Sequence, residues 1–227
     1  MPVLLAAALA GVLAATVPAW AQELDILSIY RELQVAQPNG FPAYEIAVSP
    51  DGGARIDEGP PGASRGHPAL LLDALGAFMR ITGGGGAGDD TIVTELAAWI
   101  DPEGFPLVAL SERGGRQGAP FGGRLRFYSR ASGRWNLVTE RVWPTDLDFA
   151  LCRTRGEEAT EETAGWDALG PVAALLPRAG TDIAAWCVGA SPVAGTGAAI
   201  VWDRAKGVFT RGPALKGPAP WVAAGRD

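Results

Sequence analysis

The sequence predicts an α+β fold in which short antiparallel hairpins are combined with two helices. Apolar and polar residues alternate over residues 44–48, which is typical of a strand with one buried face. Apolar residues recur at helical spacing over residues 71–79, which favours a helix. Three short strings occur twice in the same order, which indicates a tandem internal repeat of helix, strand, strand, turn and strand.

The composition sets the broad class of the protein and excludes some functions. The chain has 227 residues, of which 48% are hydrophobic, 31 are glycine and 18 are proline, so it suffices for a packed core and favours turns over long helices. The formal net charge of -6 makes nucleic acid and anionic membranes poor candidate partners. With one histidine and two cysteines, the chain has few metal-binding or catalytic groups, and we expect no cofactor.

The N-terminus predicts an export signal over residues 1–21. Residues 3–17 carry no charge, and Ala19 and Ala21 are small residues at the -3 and -1 positions of a signal-peptidase site. The alternative is an uncleaved membrane anchor, since the segment is about long enough to span a bilayer. Cleavage predicts a single mature α+β domain over residues 22–227, periplasmic or secreted, with no membrane anchor.

The first half of the mature chain predicts one hairpin and one helix. Residues 24–35 form a short helix or an irregular lead-in. The alternating residues from 44 to 56 turn around at 49–53, where proline, aspartate and glycine favour a hairpin. His67 and Pro68 then open a predicted helix. Its apolar face consists of Leu71, Leu72, Leu75, Phe78 and Met79.

The second half predicts two further hairpins and a second helix. Residues 92–110 form a hairpin around Asp101–Gly104, which has proline and glycine at the positions that a tight turn favours. Residues 124–139 form another around 131–133. A short helix is predicted over 169–176, after an acidic connector that is best interpreted as a solvated loop.

The internal repeat is predicted from three pairs of similar strings that keep their order. The pairs are residues 73–76 with 167–170, 95–100 with 182–187, and 127–135 with 201–209. Two copies, near 73–135 and 167–209, would pack together because one unit is too small to bury its own sheet face. The alternative is chance similarity in a chain of biased composition.

The two cysteines predict a disulfide. Cys152 ends the strand-like segment 148–152, and Cys187 follows the apolar segment 184–186. Both are placed for burial, and an oxidising compartment would join them. The alternative is two separate buried thiols.

A glycine-rich segment offers a possible calcium ligand. Residues 85–93 carry the pattern Gly-Gly-x-Gly-x-Asp and resemble the nonapeptide of RTX calcium-binding β-rolls. The resemblance implies that Asp90 would supply an oxygen to calcium. Calcium takes about six to eight oxygens, and a single copy of the turn cannot supply them, so a plain glycine loop is the preferred interpretation. No other metal site is predicted.

Two patterns point weakly to hydrolases. Residues 62–66 match the Gly-x-Ser-x-Gly of the α/β-hydrolase nucleophile turn, but no apolar strand precedes Ser64, and His67 stands too close to it in the chain. Asp146 and Asp148 could place two carboxylates on one side of a strand, as in glycosidases. Ordinary turn and edge carboxylates are the preferred interpretation of both aspartates.

The aromatic residues supply the candidate ligand-binding positions. Trp99 and Trp186 occupy equivalent positions in the repeat and are expected to point inward together. Tyr128, Trp135 and Trp202 lie near predicted turns and are the better candidates for an exposed face, where large rings make strong contacts at low entropic cost. The alternative is that these rings also belong to the core, which is the more common position for them.

These inferences together predict an exported, non-enzymatic protein that binds an envelope protein or a small ligand through a sheet face. One alternative is a carbohydrate-binding module that uses the exposed aromatic residues. The other is a hydrolase that depends on the carboxylates of Asp146 and Asp148.

Overall fold

The computed structural model describes most of the chain after its first 23 residues. The described residues are 24–38, 43–50, 53–58, 68–75, 77–84, 90–116, 119–152, 170–188, 195–216 and 219–220. Among them the helices are α1 (Ile26–Ala36), α2 (Thr139–Val142) and α3 (Leu147–Cys152), and a 3-10 turn spans Ala131–Gly133. The strands are β1 (Glu45–Val48), β2 (Ala54–Glu58), β3 (Ala69–Asp73), β4 (Phe78–Gly84), β5 (Asp90–Ile100), β6 (Pro106–Arg116), β7 (Ala119–Ser129), β8 (Asn136–Leu137), β9 (Val172–Leu175), β10 (Ile183–Cys187), β11 (Gly197–Asp203) and β12 (Val208–Ala214).

The described chain is mostly β, so the predicted balanced α+β class is wrong. The strands β3 to β8 form a six-stranded sheet in sequence order, and β9 to β12 form a four-stranded sheet in the same way. A two-stranded hairpin of β1 and β2 completes the set, and all strand pairs are antiparallel. Since short connections join neighbouring strands throughout, few long helices are needed.

The four-stranded sheet packs on one face of the six-stranded sheet. Because successive side chains of a strand point to opposite faces, Ala97 and Trp99 of β5 face this intersheet core, whereas Leu96 and Ala98 face away. The Trp99 indole spans the two sheets, since its Nε1 donates to the Thr181 carbonyl at 3.0 Å. The aromatic members of the intersheet core are Phe78, Trp99, Phe127, Trp143, Trp202 and Phe209.

The other face of the six-stranded sheet is covered by α1 and by β1. Residues 24–35 were expected to be a short helix or an irregular lead-in, and the structure shows the helix. Asp25 caps it by accepting hydrogen bonds from the backbone N–H groups of Leu27 and Ser28. Tyr30 and Leu33 are fully buried against the sheet. The six-stranded sheet is therefore the central layer of three.

The two sheets also join along one edge. Gly123 of β7 and Gly170 exchange two backbone hydrogen bonds, of 3.1 and 2.9 Å. A Cβ atom at Gly123 would lie 2.6 Å from the Val172 carbonyl oxygen and 2.8 Å from Ala173 Cα. Only glycine allows this close approach of β7 to β9.

The predicted helix over residues 67–79 is wrong within the described part of that segment, where β3 and β4 form a hairpin. The apolar residues are shared between the two faces of the sheet. Phe78 lies in the intersheet core and Met79 packs on the opposite face, under α1. Leu75, which the helix would have buried, is 67% exposed in the turn. Short apolar runs satisfy either periodicity, so the pattern alone does not separate them.

Two other local predictions are also wrong. The short helix expected over 169–176 is strand β9 where the structure describes it, because its alanines pair with β10. The strand-like segment 148–152 lies instead in helix α3. Both segments are apolar runs of few residues, whose conformation depends on the sheet or helix against which they pack.

The three predicted hairpins are confirmed. β1 pairs with β2, β5 with β6, and β7 with β8. The repeat unit was expected to begin with a helix, but the described residues show β3 and β4 in the first copy and β9 in the second. Trp99 and Trp186 are both buried, yet they lie in different clusters and do not point inward together. The duplication itself stays a hypothesis.

The predicted disulfide is confirmed, since Cys152 and Cys187 are bonded. Both residues are fully buried, and the bond ties α3 to β10. No helix of the described residues is long and apolar enough to cross a membrane.

Candidate functional site

A groove beside the end of α1 brings together charged and apolar side chains from two distant parts of the chain. We call this groove, which has a volume of about 660 Å³, the arginine groove. Its lining consists of Arg31, Glu32, Val35 and Ala36 from α1, and of Arg130, Gly133, Arg134 and Trp135 from the turn between β7 and β8.

Local sequence accounts for both walls of the arginine groove. Helix α1 buries most of its apolar residues against the sheet and leaves Arg31 and one apolar residue, Val35, at the surface. On the other wall, the chain leaves β7 at Ser129 and reverses through the 3-10 turn. Gly133 closes that turn with a φ of 76°, in the left-handed region that favours glycine. Trp135 follows directly, just before β8.

Glu32 connects the two walls. Its carboxylate accepts a hydrogen bond of 3.0 Å from the Trp135 indole Nε1 and forms an ion pair of 3.1 Å with Arg130. The Arg130 guanidinium also lies 5.9 Å from the centre of the Trp135 ring, within the range of a cation–π contact. The Glu32 and Arg130 side chains are 41% and 44% exposed, so solvent reaches the pair.

The arginine groove is locally positive on a protein that is negative overall. It carries the guanidinium groups of Arg31, Arg130 and Arg134 against the single carboxylate of Glu32, whereas the chain has a formal charge of -6. Arg31 donates to the Ile46 carbonyl at 2.9 Å, which holds its side chain in place. Val35, at the rim, is 84% exposed. The groove therefore offers positive charge beside a small apolar surface.

The three aromatic residues predicted to bind a ligand are placed in the interior. Tyr128 is 2% exposed, Trp135 is 8% exposed and Trp202 is 9% exposed, so their expected exposure is wrong. Tyr128 packs under α1, and Trp202 belongs to the intersheet core. Of the three, Trp135 lines the arginine groove. Turns mark where a chain reverses, but they do not determine which side of a strand a ring occupies.

A buried cluster of charges lies between the two sheets and was not predicted from the sequence. Glu95 of β5 is fully buried, and its carboxylate accepts hydrogen bonds from Arg113 of β6 and from Arg80 of β4. It also accepts one from the Leu176 backbone N–H at 3.0 Å, across the sheets. The alternation of β5 could have revealed this cluster, because it places Glu95 on the same face as Ala97 and Trp99.

The partners of Glu95 lower its pKa by more than burial raises it. Burial of the carboxylate is the largest influence and would raise its pKa. The hydrogen bonds and charge of Arg113, the Leu176 N–H and the Arg80 charge together outweigh burial and hold the pKa below its usual value of 4.5. Glu95 therefore stays ionised at neutral pH, and its bonding is structural.

The structure describes the other predicted site residues only in part. Asp146 is exposed. The side chains of Asp148 and Asp90 lie outside the described part of the structure, as do residues Ser64 and His67. Among the residues that the structure does describe, no group of three histidines, cysteines or carboxylates could hold a metal ion.

Comparison with known proteins adds no family to these observations. No family model matches the chain, and neither a curated protein nor a solved structure shows significant similarity to it.

Proposed function

We propose that this chain is an exported, non-enzymatic binding protein whose arginine groove binds an acidic segment of an envelope protein. The observation that carries the proposal is the convergence of Arg31, Arg130 and Arg134 beside exposed Val35 on an acidic protein. Guanidinium groups bind carboxylates with two parallel hydrogen bonds, which makes arginine well suited to acidic ligands.

Export is supported by two features of the chain. Disulfides such as Cys152–Cys187 persist in oxidising compartments and are rare in the cytosol. Residues 1–21, which lie outside the described part, have the composition of a cleaved signal. The proposed compartment is the periplasm or the extracellular medium.

A protein segment fits the arginine groove better than a sugar does. Sugars bind to an open aromatic face, but the Trp135 ring is 8% exposed, with Arg130 near its face and Glu32 bonded to its Nε1. Both faces of the six-stranded sheet are covered, so the proposal rests on the arginine groove and not on a face of that sheet. A peptide that alternates acidic and apolar residues would place carboxylates on the arginines and an apolar side chain on Val35.

Binding of labelled model peptides tests the proposal. A fluorescent peptide of alternating Glu and Leu is titrated with the protein, and its anisotropy is compared with that of a Lys and Leu peptide of equal length. We expect saturable binding of the acidic peptide alone, weakened by added salt because the contacts are exposed. Equal binding of both peptides, or of neither, would contradict the proposal. Binding of cell-wall oligosaccharides instead would favour the carbohydrate-binding alternative.

Matched variants locate the binding site. Arg134→Gln should weaken binding of the acidic peptide by about fivefold, the effect of one exposed charge-assisted contact. Arg204→Gln should not, because Arg204 is an exposed arginine in the turn between β11 and β12 and does not line the arginine groove. Glu32→Gln should strengthen binding, because it removes the internal carboxylate that competes for Arg130. If Arg134→Gln and Arg204→Gln behaved alike, the ligand would bind elsewhere.

A further inference from the structure

A second cavity, separate from the arginine groove, lies between β7, α2 and β9. Its volume is about 310 Å³. The apolar part of its wall consists of Leu125, Trp143, Pro144, Val172 and Ala174, and we call it the Trp143 cavity. Small-molecule sites are clefts or cavities of about 300 to 1,000 Å³ with mostly apolar walls, so this one falls within their range.

The walls of the Trp143 cavity are held rigidly. The Trp143 ring packs on Phe127 at 5.6 Å and on Phe209 at 6.0 Å between ring centres. On the opposite wall, the Ala174 carbonyl accepts hydrogen bonds from Ser111 at 2.6 Å and from Arg113 at 2.7 Å. These contacts fix the cavity from both sheets, so it is formed before a ligand arrives.

The polar side chains of the Trp143 cavity belong to Thr139, Glu140 and Thr145. Glu140 and Thr145 line it and are exposed, so the cavity opens to solvent there. The Thr139 hydroxyl accepts a hydrogen bond of 2.9 Å from the Phe127 N–H, and a hydroxyl that accepts can also donate. The site thus combines an apolar wall with hydrogen-bonding side chains that solvent reaches.

We propose that the Trp143 cavity binds an uncharged, planar aromatic molecule of one or two rings that carries a hydroxyl group. A cavity of about 150 Å³ accommodates benzene, so this larger one has room for two fused rings. The five apolar wall residues offer no opposite charge to an ionised group placed against them, and burying an unpaired charge is costly. The hydroxyl would lie at the mouth, within reach of Glu140 and Thr139. This site is independent of the arginine groove.

Calorimetric titration of the full chain with 2-naphthol tests the proposal, with 2-naphthoate as the charged control. We expect saturable binding of one equivalent of 2-naphthol and at least about tenfold weaker binding of 2-naphthoate. Absence of saturable binding, or equal affinity for the two probes, would overturn the assignment. Binding of the acidic peptide is measured on the same sample, so failure of either site is seen separately.

A filled-cavity variant and a direct contact measurement locate the probe. Val172→Phe should weaken 2-naphthol binding by at least about tenfold, whereas Val201→Phe, on the outer face of the four-stranded sheet, should change it by less than about twofold. Should Val172→Phe fail to fold, nuclear Overhauser contacts in the unmodified protein decide. Contacts from the naphthol ring to Trp143 and Leu125 are expected, and saturable binding without them would refute the proposed site.

Discussion

Glu95 and Arg113 form a doubly hydrogen-bonded ion pair inside the protein, on neighbouring strands of the six-stranded sheet. Arg113 Nη1 lies 2.6 Å from Glu95 Oε2, and Nη2 lies 3.0 Å from Oε1. The same Nη1 donates to the Ala174 carbonyl of β9 at 2.7 Å. The pair therefore connects the two sheets as well as two strands.

Replacing Glu95 by glutamine should destabilise the protein strongly. The variant keeps the size of the side chain but leaves the Arg113 charge buried without its carboxylate, which costs about 3 kcal/mol in the free energy of unfolding. Urea unfolding measures the change. Asp57→Asn is the matched control, since its pair with Arg55 is exposed and should contribute less than about 1 kcal/mol. Similar losses in the two variants would show that the buried pair contributes little.

Stability should fall on acidification below about pH 4.5, and Glu95 should account for part of the loss. Its pKa is lowered in the folded state, so its stabilising contribution is present above the unfolded value and is lost as the pH falls through the folded value. Urea midpoints measured from pH 7 to pH 3 should decline less in Glu95→Gln than in the unmodified protein. A residual decline is expected from Asp25, whose pKa is lowered chiefly by its hydrogen bond with Ser28. Parallel curves for the two proteins would be inconsistent with this assignment.

Removing the disulfide should lower the free energy of unfolding by about 3 to 4 kcal/mol, since the bond closes a loop between residues 35 apart in the chain. Thermal unfolding of the Cys152→Ala, Cys187→Ala double variant measures the change. Reductant should destabilise the unmodified protein and leave the double variant unaffected. If the unmodified protein kept its stability under full reduction, the bond would have no stabilising role.

Gly123→Ala should disrupt the contact between β7 and β9, where the two sheets join along one edge. The new Cβ would lie 2.6 Å from the Val172 carbonyl oxygen and 2.8 Å from Ala173 Cα, and backbone on both sides gives it no room. We expect a loss of about 2 to 3 kcal/mol in urea unfolding. Gly83→Ala is the control, because its nearest contacts would be ordinary ones at 3.5 Å and alanine is favoured over glycine within a strand by about 0.5 kcal/mol. Equal effects at the two positions would argue against the close approach.

Features that depend on residues close together in the sequence could be predicted from the sequence. The three hairpins follow from turn residues flanked by apolar segments, and the disulfide follows because the chain has only two cysteines. These signals are contained within short segments or within the cysteine count. The packing of distant segments does not change them.

The tertiary structure alone decided the rest of the fold and both candidate sites. The segment from Leu71 to Met79 satisfies a helix and a hairpin equally well by spacing, and pairing of β4 with β5 selects the hairpin. The arginine groove depends on Glu32 meeting Trp135, which lies 103 residues further along the chain. A local sequence pattern indicates which residues can lie on the same face of a helix or strand. The path of the whole chain determines which of these faces pack together. For that reason the hairpins and the cysteine pairing were readable from the sequence, and the buried ion pair, the groove and the cavity were not.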